Sequence, residues 1–179
     1  MKSKTKWITR GAATIALIIV VQLVTRSLGQ QLITGSLVNL LLALSTMLFG
    51  WSVGAAAAVF SPLFAYFLGI NAQLALVPAI AAGNLTYVVV ISLLLNFLKG
   101  KKISGFVRHL IAVIAAAVCK FGIQYLLIVK WIAPAFLPAK ALPVIAVNFG
   151  VLQLFTACIG GVLACLLFPV ISKGIRSGD

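Results

Sequence analysis

Residues 37–68 read LVNLLLALSTMLFGWSVGAAAAVFSPLFAYFL, a stretch without one charged side chain. A helix needs about 20 apolar residues to cross the hydrocarbon core of a bilayer. This stretch is too long for one straight span, and Gly50-Trp51-Ser52 offers a break inside it. Two short membrane helices result, over 33–50 and 52–69. Upstream, the apolar run Trp7–Leu28 follows Lys2, Lys4 and Lys6. It exceeds the usual apolar region of a signal peptide and no A-x-A site follows it, so it reads as a retained helix, 7–28. Downstream, the Gly69-Ile70-Asn71 turn leads into a fourth helix, 74–98. Pro78 falls in its first turn, where a missing N–H is tolerated. A basic connection ending at Arg108 precedes a fifth helix, 106–131. Pro134, Pro138 and Pro143 mark a longer loop before a sixth, 143–172. The expected architecture is an all-α integral membrane protein, one transmembrane domain over residues 1–179 with six spans.

Composition agrees with that solvent. Hydrophobic residues make up 63% of the chain and charged residues 8%, with a mean hydropathy of +1.23. A soluble domain is about half apolar and about a quarter charged. The net charge of +13 comes from 14 Lys and Arg against a single acid, Asp179. A nucleic-acid binder would gather its cations in a patch or along one helix face. Here they sit in short clusters between apolar runs, so no nucleic-acid partner is expected.

The clusters also set orientation. With the N-terminus inside, six spans put Lys2, Lys4, Lys6, Arg10, Lys99, Lys101, Lys102, Arg108, Lys173 and Arg176 on the inner side. Arg26, Lys120, Lys130 and Lys140 remain for the outer loops and the membrane interior. That bias favours an N-in, C-in topology.

What is missing narrows the chemistry. No G-x-x-x-x-G-K-[ST] phosphate loop occurs, and no Asp or Glu lies in any span. Proton-coupled carriers commonly place Asp, Glu or His relays there. His109 stands beside Arg108 near the inner interface, where a solvated or headgroup-contacting role suits it. Cys119, Cys158 and Cys165 lie in apolar segments without metal-ligand spacing and read as small hydrophobes. The expectation is therefore a protein that is not an enzyme and carries no cofactor or metal.

Neutral polar residues, aromatics and a few cations are left, and their depth is informative. Gln22 and Arg26 fall in the outer half of the first helix, Asn39 opens the second, and Tyr66 is near the outer end of the third. Asn84 and Tyr87 lie in the first half of the fourth. Gln124 and Tyr125 lie in the outer half of the fifth, with Lys120 one turn deeper. Asn148 and Gln153 fall in the outer half of the sixth. Polar groups are costly in lipid and should face protein or a cavity. Each alone reads as interhelical glue contributing about 0.6–2 kcal/mol. Their shared bias describes an outward-facing pocket. The candidate substrate-binding residues are Arg26, Asn39, Tyr66, Asn84, Tyr87, Lys120, Gln124, Tyr125 and Asn148.

Near the inner end of the first helix, Gly11, Ala12, Ala13 and Ala16 form a small-residue patch containing Ala12-x-x-x-Ala16. Small residues four apart let another helix approach closely.

These features together resemble the S component, the substrate-binding membrane subunit, of energy-coupling factor (ECF) vitamin importers. The resemblance rests on size, six N-in helices, Ala12-x-x-x-Ala16, and the stretch from Gly35-Ser-Leu-Val-Asn39 through Phe49-Gly50-Trp51 to Ser61-Pro62-Leu-Phe64 and Leu68-Gly69. It implies a multi-pass subunit in the cell membrane of a prokaryote that captures a vitamin from outside. It also implies docking through the first helix, at Gly11, Ala12, Ala13 and Ala16, onto a transmembrane coupling subunit driven by two ATPase subunits. The Gly35–Gly69 stretch looks most like the cobalamin-type S components, with pantothenate the runner-up. Without an acid, a cationic vitamin lacks a counter-charge, whereas Arg26, Lys120 and Lys130 suit a carboxylate or phosphate. A self-contained oligomeric carrier or channel is the competing class.

Overall fold

The computed structural model describes residues 2–26, 31–70 and 73–178, and among them every regular element is helical. The elements are α1 (Lys2–Arg26), α2 (Gln31–Phe49), α3 (Trp51–Phe67), α4 (Val77–Phe97), α5 (Gly105–Gln124), α6 (Ala133–Phe136), α7 (Leu142–Phe149) and α8 (Val151–Gly178). A 3₁₀ turn, Leu74–Leu76, leads into α4, and a π-helical stretch, Tyr125–Ile132, joins α5 to α6.

Local sequence explains where these helices stop. Gly50 separates α2 from α3 at φ 92°, a left-handed conformation that side chains with a Cβ avoid. Gly69, at φ 66°, ends α3. There the Gly69 N–H donates to the Tyr66 carbonyl and the Ile70 N–H to the Ala65 carbonyl, so two end carbonyls are satisfied. Pro78 sits in the first turn of α4. Ser104 caps α5 by accepting from the Val107 N–H at 3.2 Å.

Two expectations change. The final helix does not run unbroken over 143–172: it is divided at Gly150 into α7 and α8. A Cβ at Gly150 would stand 2.2 Å from the Ala146 carbonyl oxygen, so only glycine fits that corner. His109 is not solvated either. It is buried, its Nδ1 lies 2.6 Å from the Gly105 carbonyl oxygen, and its ring packs 4.6 Å from that of Phe168.

α2 runs through the middle of the bundle, packed on α8, α1, α3 and α4, while α5 packs on α4 and α8. The core is built from Leu42, Ala43, Val88, Ile91, Val113, Ala116, Ala117, Ala157 and Ala164. Small residues allow close approach: a Cβ on Gly160 of α8 would fall 2.3 Å from the Ser36 carbonyl oxygen of α2. At one end, Trp7 Nε1 donates to Ser52 Oγ at 2.9 Å, and the Arg10 guanidinium lies 5.0 Å from the Phe49 ring centre. These contacts tie the start of α1 to the α2–α3 turn.

The outside of the bundle is apolar. Val24, Phe67, Phe97, Trp131, Phe136 and Val170 are among the large hydrophobics it exposes. Five helical segments, Lys4–Thr25, Gln31–Phe49, Leu74–Phe97, Gly105–Phe136 and Ala139–Ile175, are long and apolar enough to cross a membrane. The helix Trp51–Phe67 is apolar but shorter, at 17 residues. Exposed apolar surface on this scale needs lipid as solvent. The chain is a multi-pass membrane protein.

Candidate binding cavity

An apolar bundle gives buried polar groups few places to go, and here they converge. Residues from α1, α2, α3, α4, α5, α7 and α8 enclose a cavity of about 340 Å³. Gln22 comes from α1, Gln31, Thr34 and Asn39 from α2, and Ser61 and Pro62 from α3. Asn84 comes from α4, Lys120 and Gln124 from α5, Asn148 and Phe149 from α7, and Gln153 from α8.

Lys120 organises the floor. It is 2% exposed, and its ammonium donates to Asn39 Oδ1 at 2.5 Å and to Asn84 Oδ1 at 2.7 Å. Its Nζ also lies 5.6 Å from the centre of the Tyr87 ring, within cation–π range. Tyr87 is wholly buried and held by its hydroxyl, which donates to the Ala157 carbonyl at 3.0 Å. Asn39 is fixed in turn: its Nδ2 donates to Thr156 Oγ1 at 3.3 Å, and Thr156 donates to the Gln153 carbonyl at 3.1 Å. Three elements far apart in sequence thus aim two amide oxygens at one ammonium.

This arrangement solvates a cation without neutralising it. A buried ammonium is expensive unless paired, and the only acid in the chain, Asp179, lies outside the described residues. The amide oxygens offer partial charge only. An ammonium has three N–H donors, and two meet these amides. The positive potential at the floor suits an anion.

The walls carry a second signal. Buried polar atoms in proteins nearly always have partners. Yet both terminal atoms of Gln124 and the Oε1 atoms of Gln22 and Gln153 are buried without one, as is Ser61 Oγ. All four residues line the cavity. Gln124 is held against α4 because residue 83 is glycine: a Cβ there would come within 2.3 Å of Gln124 Cγ.

Of the residues expected to bind substrate, the structure brings Asn39, Asn84, Lys120, Gln124 and Asn148 together around the cavity. Tyr87 lies behind Lys120 as support. Tyr66 stacks edge-on with Phe67, and Tyr125 packs against Phe121 under Lys130; neither lines the cavity. The Arg26 side chain lies outside the described residues. Gln22 and Gln153, buried amides in apolar helices, carried the same sequence signal as Asn39 but were not among the candidates. Ser61 and Thr156 gave no signal, because small hydroxyls are common inside membrane helices.

The small-residue patch on α1 is divided by the helix. Ala12, Ala13 and Ala16 are exposed, whereas Gly11 is itself buried, although a Cβ there would meet nothing within 4 Å. Among the described residues no group of three His, Cys, Asp or Glu could hold a metal ion. Compared with family models, curated proteins and solved structures, the chain matches none of them.

Proposed function

We propose that this chain is the substrate-binding S component of an ECF-type vitamin importer in a prokaryotic cell membrane, with six spans and both termini inside. In this reading it captures a small anionic vitamin from outside and hands it to a transmembrane coupling subunit driven by two ATPase subunits. The observation that carries the reading is the buried Lys120 ammonium at the floor of a polar-lined cavity, with no acid among the described residues to pair with it. The exposed Ala12, Ala13 and Ala16 on α1 supply a flat surface for a partner helix. As the sixth span, α3 would cover about 25 Å, short for a bilayer core of about 30 Å but within the reach of local thinning.

Cavity size bears on the choice of vitamin. A volume of about 340 Å³ lies at the small end of ligand pockets. It favours pantothenate, a compact carboxylate, over cobalamin, a far bulkier corrinoid that would need the walls to move apart. Equilibrium binding to the purified protein tests this, with pantothenate expected to bind and cobalamin not. Tighter cobalamin binding would reverse the assignment.

A further inference from the structure

Lys120 accounts for one end of a ligand, and Gln124 is a buried group of the cavity that this role leaves unused. Its side chain is 0% exposed, it lines the cavity, and neither Oε1 nor Nε2 has a partner. A primary amide offers both an acceptor and a donor, and leaving both unmet in a buried site is costly. The group is also held in place: its Cγ, Cδ and Nε2 fill the notch that Gly83 leaves on α4, where a Cβ would collide with all three. Four residues apart on one helix, Lys120 and Gln124 share a face with about 5–6 Å between their Cβ atoms. Just beyond Gln124 the helix widens into its π-helical stretch, Tyr125–Ile132, a feature often found at functional sites.

We infer that Gln124 is a specificity-determining residue that reads an amide in the ligand while Lys120 holds the ligand's carboxylate. The inference rests on the small-carboxylate reading above and deepens it. The ligand's amide carbonyl accepts from Gln124 Nε2, and its amide N–H donates to Gln124 Oε1. The substrate class is then an N-acylated amino acid compact enough for the cavity. Gln22 and Gln153, each with an unpaired Oε1 in the same walls, offer acceptors for hydroxyl groups on the acyl part.

The test measures equilibrium binding to the full-length protein in nanodiscs with three probes. These are pantothenate, its ester analogue in which oxygen replaces the amide N–H, and panthenol, in which an alcohol replaces the carboxylate. The ester should bind about tenfold more weakly than pantothenate, and Gln124→Met should weaken pantothenate by a similar factor or more. In Gln124→Met the ester penalty should vanish. The probe comparison on the unmodified protein needs no variant to fold. Equal binding of ester and amide, with panthenol still rejected, overturns the role of Gln124 and leaves the carboxylate reading standing. Panthenol binding as well as pantothenate, or no binding of pantothenate, overturns both.

Discussion

The Lys120 ammonium of α5 donates to Asn39 Oδ1 of α2 across 2.5 Å, joining residues 81 apart in the chain. No carboxylate shares in that contact, so the cost of burying the charge is only partly offset. Stability and binding should therefore separate at this position. Lys120→Met removes the buried charge and keeps most of the volume. The ligand-free protein should melt at the same temperature or higher, while affinity for a carboxylate ligand falls about tenfold to a hundredfold. Asn39→Leu does the opposite to the charge, taking away one of its two amide acceptors, and should cost about 1–3 kcal/mol of stability. Thermal unfolding of both variants with and without ligand checks the pair. A Lys120→Met protein that melts well below Asn39→Leu would contradict this view of the site.

The α2–α8 contact should be intolerant of a single methyl group. At Gly160 a new Cβ would meet backbone atoms of α2, the Ser36 oxygen at 2.3 Å and the Leu40 nitrogen at 2.6 Å. Backbone cannot rotate away as a side-chain tip can, so Gly160→Ala should destabilise by about 1–3 kcal/mol. A Cβ at Gly122 of α5 meets nothing within 4 Å. Gly122→Ala should be neutral or gain up to about 1 kcal/mol from helix propensity. Melting temperatures of the two variants in the same detergent give the comparison.

Much of the cavity lining could be read before folding, because an amide or ammonium in an apolar span has to be accounted for. Asn39, Asn84, Lys120, Gln124 and Asn148 announced themselves in that way. Tyr66 and Tyr125 lie outside the cavity lining, because an aromatic ring with a hydroxyl is equally at home against a neighbouring ring, and both found one nearby in the chain, Phe67 and Phe121. The break at Gly50 was visible because the uncharged run around it is too long for one span. The corner at Gly150 was not, since an apolar sequence continues on both sides and only the tertiary path sets the bend. His109 was misplaced for a related reason: its contact with Phe168 depends on α8 returning beside α5, which sequence spacing does not reveal.

On α1, exposure turns the alanine patch into a test of assembly. Ala12 and Ala16 face away from the bundle, so Ala12→Trp and Ala16→Trp should leave thermal stability within about 0.5 kcal/mol. Ligand affinity of the isolated protein should also survive. Co-purification with the coupling subunit should fall sharply, because a bulky ring holds a partner helix off a small-residue surface. Full complex formation by both variants would remove this face as the docking site.

Orientation can be read by thiol labelling in a background with Cys119, Cys158 and Cys165 replaced by alanine. Leu74→Cys and Ala139→Cys should react with an impermeant reagent applied to intact cells, since both positions are exposed in 3₁₀ turns at the segment ends assigned to the outside. Lys102→Cys, exposed in the basic α4–α5 connection, should react only after the cells are opened. Labelling of Lys102→Cys from outside would overturn the N-in, six-span assignment.

A binding subunit and a self-contained carrier differ most plainly in what the chain does alone. The decisive measurement is uptake of labelled pantothenate into proteoliposomes holding the full chain by itself, or the chain with the coupling subunit and the two ATPase subunits. The chain alone should bind the ligand in equilibrium assays yet accumulate none inside the vesicles, and accumulation should appear only with the partner subunits and ATP. Accumulation by the chain alone, driven by an ion or substrate gradient, would contradict the assignment as a substrate-binding subunit.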